Sequence, residues 1–344
     1  MLKIPQKILV VRLSSLGDII VMTPIFRALR ERYPTAQIDY LIKTEFQSLL
    51  ENNPFISNLL VFGAKSGFRG WRELCRKLAA EEYNIYIDMH NNLRSRVLGH
   101  YLRRSSLLRF RKPRLKRFFL FYFYINLFRK DFTLLSEYFK VLKPLKISNA
   151  ALMPEIFLSD NAGQRADEIL AKRNVHQPFV VLLAVAAWAN KRYSINKYRE
   201  LSRRIIEKYN VQIVWLGGKK DHYLTEFSAT KDSKNIFLIG ETTLDESIAI
   251  LSKSSLVIGN DTGLSYAAEA VGTPLIMILG PTSRETGAGP FGPGSQSIQQ
   301  QLWCRPCSQK GDRKCYRKRQ YCLENISVDE IFRAAQFVLD GEKK

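Results

Sequence analysis

The chain has 344 residues and a mass of 39.7 kDa, more than one ordinary core can organise and enough for two domains of roughly 150 to 180 residues each. Hydrophobic residues make up 46% and charged residues 25%, with 19 Gly and 13 Pro, which excludes disorder, collagen and coiled coil as descriptions of the whole chain. The 53 Lys+Arg against 32 Asp+Glu leave a formal net charge of +21, so a polyanion is an expected partner.

Taken in chain order, residues 7–13 (KILVVRL) form an unbroken aliphatic run, the pattern of a strand buried on both faces of a parallel sheet. A turn at 14–18 (SSLGD) leads into a helical repeat over 19–33 that Pro34 stops. Strands are expected at 37–42, 58–62 and 85–88, with a helix at 71–82. This β, α, β, α order marks a doubly wound α/β domain. A polar stretch at 143–160, bracketed by Pro144 and Pro154, reads as a linker. The pattern then restarts, with strands at 179–184, 212–216, 236–238, 256–258 and 274–279 and helices at 198–209, 244–252 and 265–270. The expected domains are therefore 1–150, 151–327 and a closing amphipathic helix at 328–344.

The charge is uneven. Residues 1–150 hold 27 basic and 11 acidic side chains, and the stretch 94–130 holds 12 basic residues and no acid. Its sequel at 118–128 (FFLFYFYINLF) is about half the ~20 residues that span a bilayer. Charge runs are usually solvated faces, but a basic run beside an apolar one supplies the two signals of peripheral membrane attachment. With no secretory leader at the N-terminus, the expected location is cytoplasmic and peripheral on a membrane. No nucleic-acid motif accompanies the charge, so nucleic acid is not expected as a partner.

Three loops follow strands in the second half. Gly259, Asn260, Asp261, Thr262, Gly263, Leu264 and Ser265 open a helix whose N-terminus suits a phosphate. Lys191, Arg192 and Tyr193 follow the strand at 179–184, and residues 217–221 (GGKKD) follow the strand at 212–216. Three loops on one strand-end edge is what a nucleoside diphosphate needs. In the first half, Ser15, Gly17 and Asp18 sit between strand and helix. Asp18 reads either as a helix-end carboxylate or as a general base. The missing glycine fingerprint and phosphate-loop lysine argue against dinucleotide chemistry or ATP hydrolysis.

The motifs VVRLSSLGDIIVMTPIFRALRERYP (10–34), NKRYS (190–194), VIGNDTGLSYAAEAVGTPLIMILGPTS (257–283) and CRPC (304–307) resemble those of the glycosyltransferase family 9 heptosyltransferases, in the same order. The resemblance implies a GT-B fold, with two Rossmann-like domains facing across a cleft. It implies transfer of heptose from ADP-heptose to Kdo or a first heptose in the lipopolysaccharide inner core, inverting and without a catalytic cofactor. Asp18 would be the general base and Lys191 the cation on the donor phosphates. Asp261, Thr262, Gly263 and Leu264 match the donor loop, Asp221 would meet the ribose, and Thr242, Thr243 and Leu244 would border the adenine. Ser15, Gly17, Asp88, His90 and Arg94 match the acceptor side, facing an anionic lipopolysaccharide precursor at the inner-membrane surface. The chain departs from the family at Tyr266, where histidine is common, and at residues 186–188 (AAW), where a hydroxyl-rich loop is usual.

Cys304, Cys307, Cys315 and Cys322 have spacings open to a structural Zn or Fe site or to free thiols. Cys75 stands apart in a helix and reads as packing.

Overall fold

The computed structural model describes residues 5–63, 67–148, 153–221, 223–224 and 233–341. The chain divides into two compact units, one of Met1–Pro113 with Thr133–Phe157, the other of Arg114–Phe132 with Leu158–Lys344.

The first unit holds five parallel strands: β1 (Lys7–Val11), β2 (Gln37–Lys43), β3 (Asn58–Phe62), β4 (Ile85–Asp88) and β5 (Ser106–Arg109), in the order β3-β2-β1-β4-β5. The aliphatic side chains of β1 are fully shielded, as a strand with helices on both faces requires. The helix expected over 19–33 is two helices, Leu16–Val21 and Pro24–Arg32. Pro24 has no N–H for the preceding turn and starts the second helix instead. Thr23 joins the pieces: its hydroxyl donates to the Ile20 carbonyl at 2.8 Å and accepts the Glu155 N–H at 2.8 Å. Trp71, Cys75 and Leu78 bury one face of helix Gly67–Ala80, and burial raises the Cys75 thiol to about 11.

The second unit holds six parallel strands: β6 (Phe179–Leu183), β7 (Gln212–Gly217), β8 (Asn235–Ile239), β9 (Leu256–Asn260), β10 (Leu275–Leu279) and β11 (Gln296–Gln299), in the order β11-β10-β9-β6-β7-β8. Gly259 lets β9 approach β6, because a Cβ there would stand 2.7 Å from Leu183 Cβ. Helix Val328–Gly341 packs Val328, Ile331, Ala335 and Leu339 onto this core.

The basic run expected to form one segment of the first domain is divided. Residues 94–113 belong to the first unit, whereas helix Arg114–Phe123 and the chain to Phe132 belong to the second. The cause is local chemistry. The Arg313 guanidinium donates to the Tyr122 hydroxyl at 2.8 Å, the Tyr124 and Tyr316 hydroxyls share a hydrogen bond of 2.9 Å, and the Tyr124 and Trp303 rings pack edge-on at 5.1 Å. The boundary expected at 150/151 lies outside the described residues; the units part at 157/158.

Candidate active site

In an open parallel sheet, the strand order reverses at one point, and the loops leaving the two strands there diverge to leave a crevice. Each sheet has one such point. In the first unit it lies between β1 and β4, and in the second between β6 and β9.

At the first, β1 delivers Arg12 and Asp18 and β4 delivers residues 89–92. The Asp18 carboxylate pairs with Arg12 Nη2 at 2.8 Å, accepts the Ser15 hydroxyl at 2.8 Å, and accepts the Tyr138 hydroxyl at 3.3 Å. Burial alone would raise its pKa, but the Arg12 charge and the bonds from Ser15 outweigh this, and the carboxyl sits below its usual range. Asp18 therefore stays ionised, and its side chain is 33% exposed against 7% for Arg12. Arg12 also donates to the Met89 carbonyl at 2.6 Å, and His90 Nδ1 accepts the Leu13 N–H at 3.1 Å, so the two loops are tied together. Burial, then the charges of Arg12 and Lys112, hold the His90 imidazole down to about 4, and it is neutral at pH 7.

The remaining residues expected on the acceptor side have different settings. Ser15 is exposed and Gly17 half-buried in the first helical turn. Arg94 is exposed, with its guanidinium 5.6 Å from the Phe62 ring centroid. Asp88 is fully buried and takes Arg109 Nε at 2.9 Å and the Asn91 N–H at 2.7 Å. A carboxylate so enclosed shapes the 89–92 turn from inside the fold.

At the second switch point, Lys191 follows β6 and Asp261 follows β9. Lys191 Nζ lies 2.6 Å from Asp261 Oδ2, with the side chains 14% and 6% exposed. Asp261 also accepts the Thr282 hydroxyl at 2.7 Å and the Tyr266 hydroxyl at 3.0 Å. Tyr266 thus supplies a hydroxyl donor to the carboxylate. Asn260, fully buried, accepts the Tyr193 N–H at 3.0 Å and fixes the chain just past Lys191.

The neighbouring loops leave the same sheet edge. Asp221 accepts the Gly218 N–H at 3.0 Å and closes the turn after β7. After β8, Thr242 bonds Ser247, and Thr243 caps helix Leu244–Ser252 with Glu246 returning the bond. Thr262 is the N-cap residue of helix Gly263–Ala270, with Gly263 and the buried Leu264 in its first turn.

Cys304, Cys307, Cys315 and Cys322 are free thiols, as is Cys75. Burial, then the charges of the other three, raises Cys307 to about 11, and burial also raises Cys322. Among the described residues, no three His, Cys, Asp or Glu side chains stand close enough to hold a metal. Cys315 Sγ donates to the Arg319 carbonyl at 3.8 Å, and Cys304 Sγ accepts from Arg317 at 3.8 Å. As placed, this donor set does not fit the Zn or Fe site that the spacing allowed.

Sequence reasoning missed Arg12, Tyr138 and Thr282. Arg12, a lone cation inside an aliphatic strand six residues before an aspartate, was a legible signal. Tyr138 was not, since 120 residues separate it from Asp18.

The family model of glycosyltransferase family 9 (heptosyltransferase) matches residues 71–316. The chain belongs to this family. It is 22% identical over 356 residues to lipopolysaccharide heptosyltransferase 1 of Pseudomonas aeruginosa, covering 95% of this chain and 96% of that one. Among solved structures, a glycosyltransferase of family 9 from Veillonella parvula superposes with a TM-score of 0.79 at 22% identity, covering 97% of each chain. The ADP-heptose lipopolysaccharide heptosyltransferase II of Escherichia coli gives 0.76 at 20% identity over 98% of this chain and all of that one. The GT-B fold class of two Rossmann-like units and the glycosyltransferase activity follow from membership.

Proposed function

We propose that the protein transfers L-glycero-D-manno-heptose from ADP-heptose to the Kdo or first heptose of a lipopolysaccharide inner core. The observation that carries this is the Lys191–Asp261 pair at the switch point of the second sheet, among four loops suited to a nucleoside diphosphate. In this reading the second unit binds the donor. Lys191 stabilises charge gathering on the departing ADP, Asp261 meets the sugar, Thr262 and Gly263 the phosphates, Asp221 the ribose, and Thr242, Thr243 and Leu244 the adenine. The first unit binds the acceptor. The Asp18 carboxylate takes the proton from the acceptor hydroxyl as its oxygen attacks the anomeric carbon opposite the leaving ADP, which inverts that centre. Asp18's depressed pKa keeps it ready to accept that proton, at some cost in basicity. Ser15, Gly17, His90 and Arg94 line the acceptor side, and Asp88 holds their loop.

We also place the enzyme at the anionic inner-membrane surface, where its acceptor lies. Phe118, Tyr122, Phe123, Ile125 and Leu127 are exposed, beside Trp303 at 63% and Tyr316 at 60%. Residues 114–132 and 303–319 together hold 12 basic side chains against 2 acids. Aromatic rings at the headgroup level and cations on anionic lipid give two attachment terms. Among the described residues no helix is long and apolar enough to cross a membrane.

The test is transfer from ADP-heptose to lipopolysaccharides truncated at Kdo or at the first heptose, with linkage analysis of the product. Heptose on one of them is the expected result; transfer only from another nucleotide sugar or only to another acceptor overturns the assignment.

A further inference from the structure

The stretch from Cys304 to Gln320 has no role in the reaction as described, yet it is fastened on two sides to elements that do. On one side, Arg305 donates to the carbonyls of Gly280 and of Thr282 (2.8 Å), the Cys307 N–H to the Pro281 carbonyl (3.2 Å), and Gln309 to the Thr286 carbonyl (2.6 Å). On the other side, Asn190 donates to the Arg313 carbonyl, and Gln320 donates to the Asn190 carbonyl. The stretch is a strap joining the loop of Thr282 to the turn of Lys191.

Between these anchors the strap makes a tight turn. The buried Ser308 hydroxyl accepts the Gly311 N–H at 2.9 Å and donates to the Asp312 carboxylate at 2.6 Å. Gly311 is left at φ +76, a conformation that favours glycine. A Cβ on it would stand 2.7 Å from Lys191 Cγ, 3.1 Å from Cε and 3.3 Å from Cδ. The backbone at Gly311 therefore lies along the length of the lysine stem.

We infer that Gly311 is a positioning residue for Lys191: the turn at 308–312 is the wall that keeps the stem extended and the ammonium on Asp261. A four-carbon stem is flexible and free to place its charge in many directions. A wall of backbone removes that freedom before the donor arrives, so less is lost on binding. This rests on the reading of Lys191 as the donor cation, and its test is chosen to fail separately.

The experiment compares Gly311→Ala with Gly272→Ala, whose φ is +86 with nothing within 4 Å of its Cβ, so it carries the backbone strain without the contact. The first readout is the rate at which acetic anhydride modifies Lys191, mapped by peptide mass against Lys197 and Lys208. The rate should rise several-fold in Gly311→Ala and stay unchanged in Gly272→Ala; an unchanged rate in Gly311→Ala overturns the inference. The second readout is kinetic. Gly311→Ala should lower kcat about ten-fold with the acceptor KM unchanged, and should add no further loss in a Lys191→Ala background. A fully additive loss overturns the inference, whereas a Lys191→Ala enzyme of normal activity counts against the donor reading and leaves the modification rate to decide. Should Gly311→Ala not fold, Asn190→Ala cuts the neighbouring tether and should raise the same rate by a smaller factor; no rise there overturns the inference.

Discussion

The two units place an ion pair at the same point of the same kind of sheet and turn opposite poles outward. In the first, Arg12 is the more shielded member and Asp18 the more exposed; in the second, Asp261 is the more shielded and Lys191 the more exposed. One buried charge thus fixes and tunes its partner in each unit, and the fold chooses which sign a ligand meets. In the reaction proposed above, a proton acceptor is wanted where a hydroxyl is to be activated, and a cation where a diphosphate is to leave. The lesson is that the partner behind the functional group decides its state, in Asp18 by holding it ionised and in Asp261 by holding a lysine in place.

The comparison can be broken in several ways. Asp18→Asn should lower kcat by about 10²- to 10⁴-fold, the usual worth of a general base, while leaving ADP affinity nearly intact by calorimetry. An active variant would remove Asp18 as the base. Lys191→Met should cost about 10²- to 10³-fold in kcat, as loss of one charge-stabilising donor does, and steady-state kinetics with a saturating acceptor would reveal it. Its effect should fall on the donor, where that of Asp18 falls on the acceptor. Trp303→Ser with Tyr316→Ser should weaken sedimentation with phosphatidylglycerol vesicles several-fold and leave catalysis on a soluble acceptor unchanged. Equal sedimentation of both proteins with these vesicles would sink the membrane face of the second unit.

The finer effects test the tuning. Arg12→Met removes the cation that offsets burial, so Asp18 should move up and the acid limb of kcat/KM against pH should shift upward by about one unit or more. A limb that stays in place would show that Arg12 does not set the state of Asp18. The smallest effect concerns His90. Its folded pKa, about 4, lies below the ordinary imidazole value of 6.5, so the unfolded chain takes up its proton first as pH falls. Stability is then full above about 6.5 and lost as pH drops toward about 4. His90→Gln should flatten the denaturation midpoint across that window, and an unchanged slope would place the imidazole in water.

Much of this arrangement was legible in the sequence because it is local. Aliphatic runs such as 7–13 and 179–184 mark buried parallel strands by their continuity, and the loops that follow them carry Asp18, Lys191 and Asp261 as neighbours of those runs. Two classes of feature were illegible. The edge strand Gln296–Gln299 is half-buried and polar, so it lacks a run to read. Contacts between distant segments have no periodicity, and neither Tyr138 against Asp18 nor Gly311 along Lys191 leaves a local pattern. The break before Pro24 was readable from the proline alone, yet the apolar spacing on both sides masked it.

The excursion of residues 114–132 into the second unit has a bearing on how such a chain can be rearranged. The backbone passes from one unit to the other three times, so neither unit is a single stretch of gene. A recombination event that joins halves of two relatives near residue 150 would graft a first half still carrying the foreign helix Arg114–Phe123 against an unmatched Tyr316, Trp303 and Arg313. Exchange of acceptor specificity within this lineage should therefore favour substitutions inside the first unit over wholesale shuffling of halves.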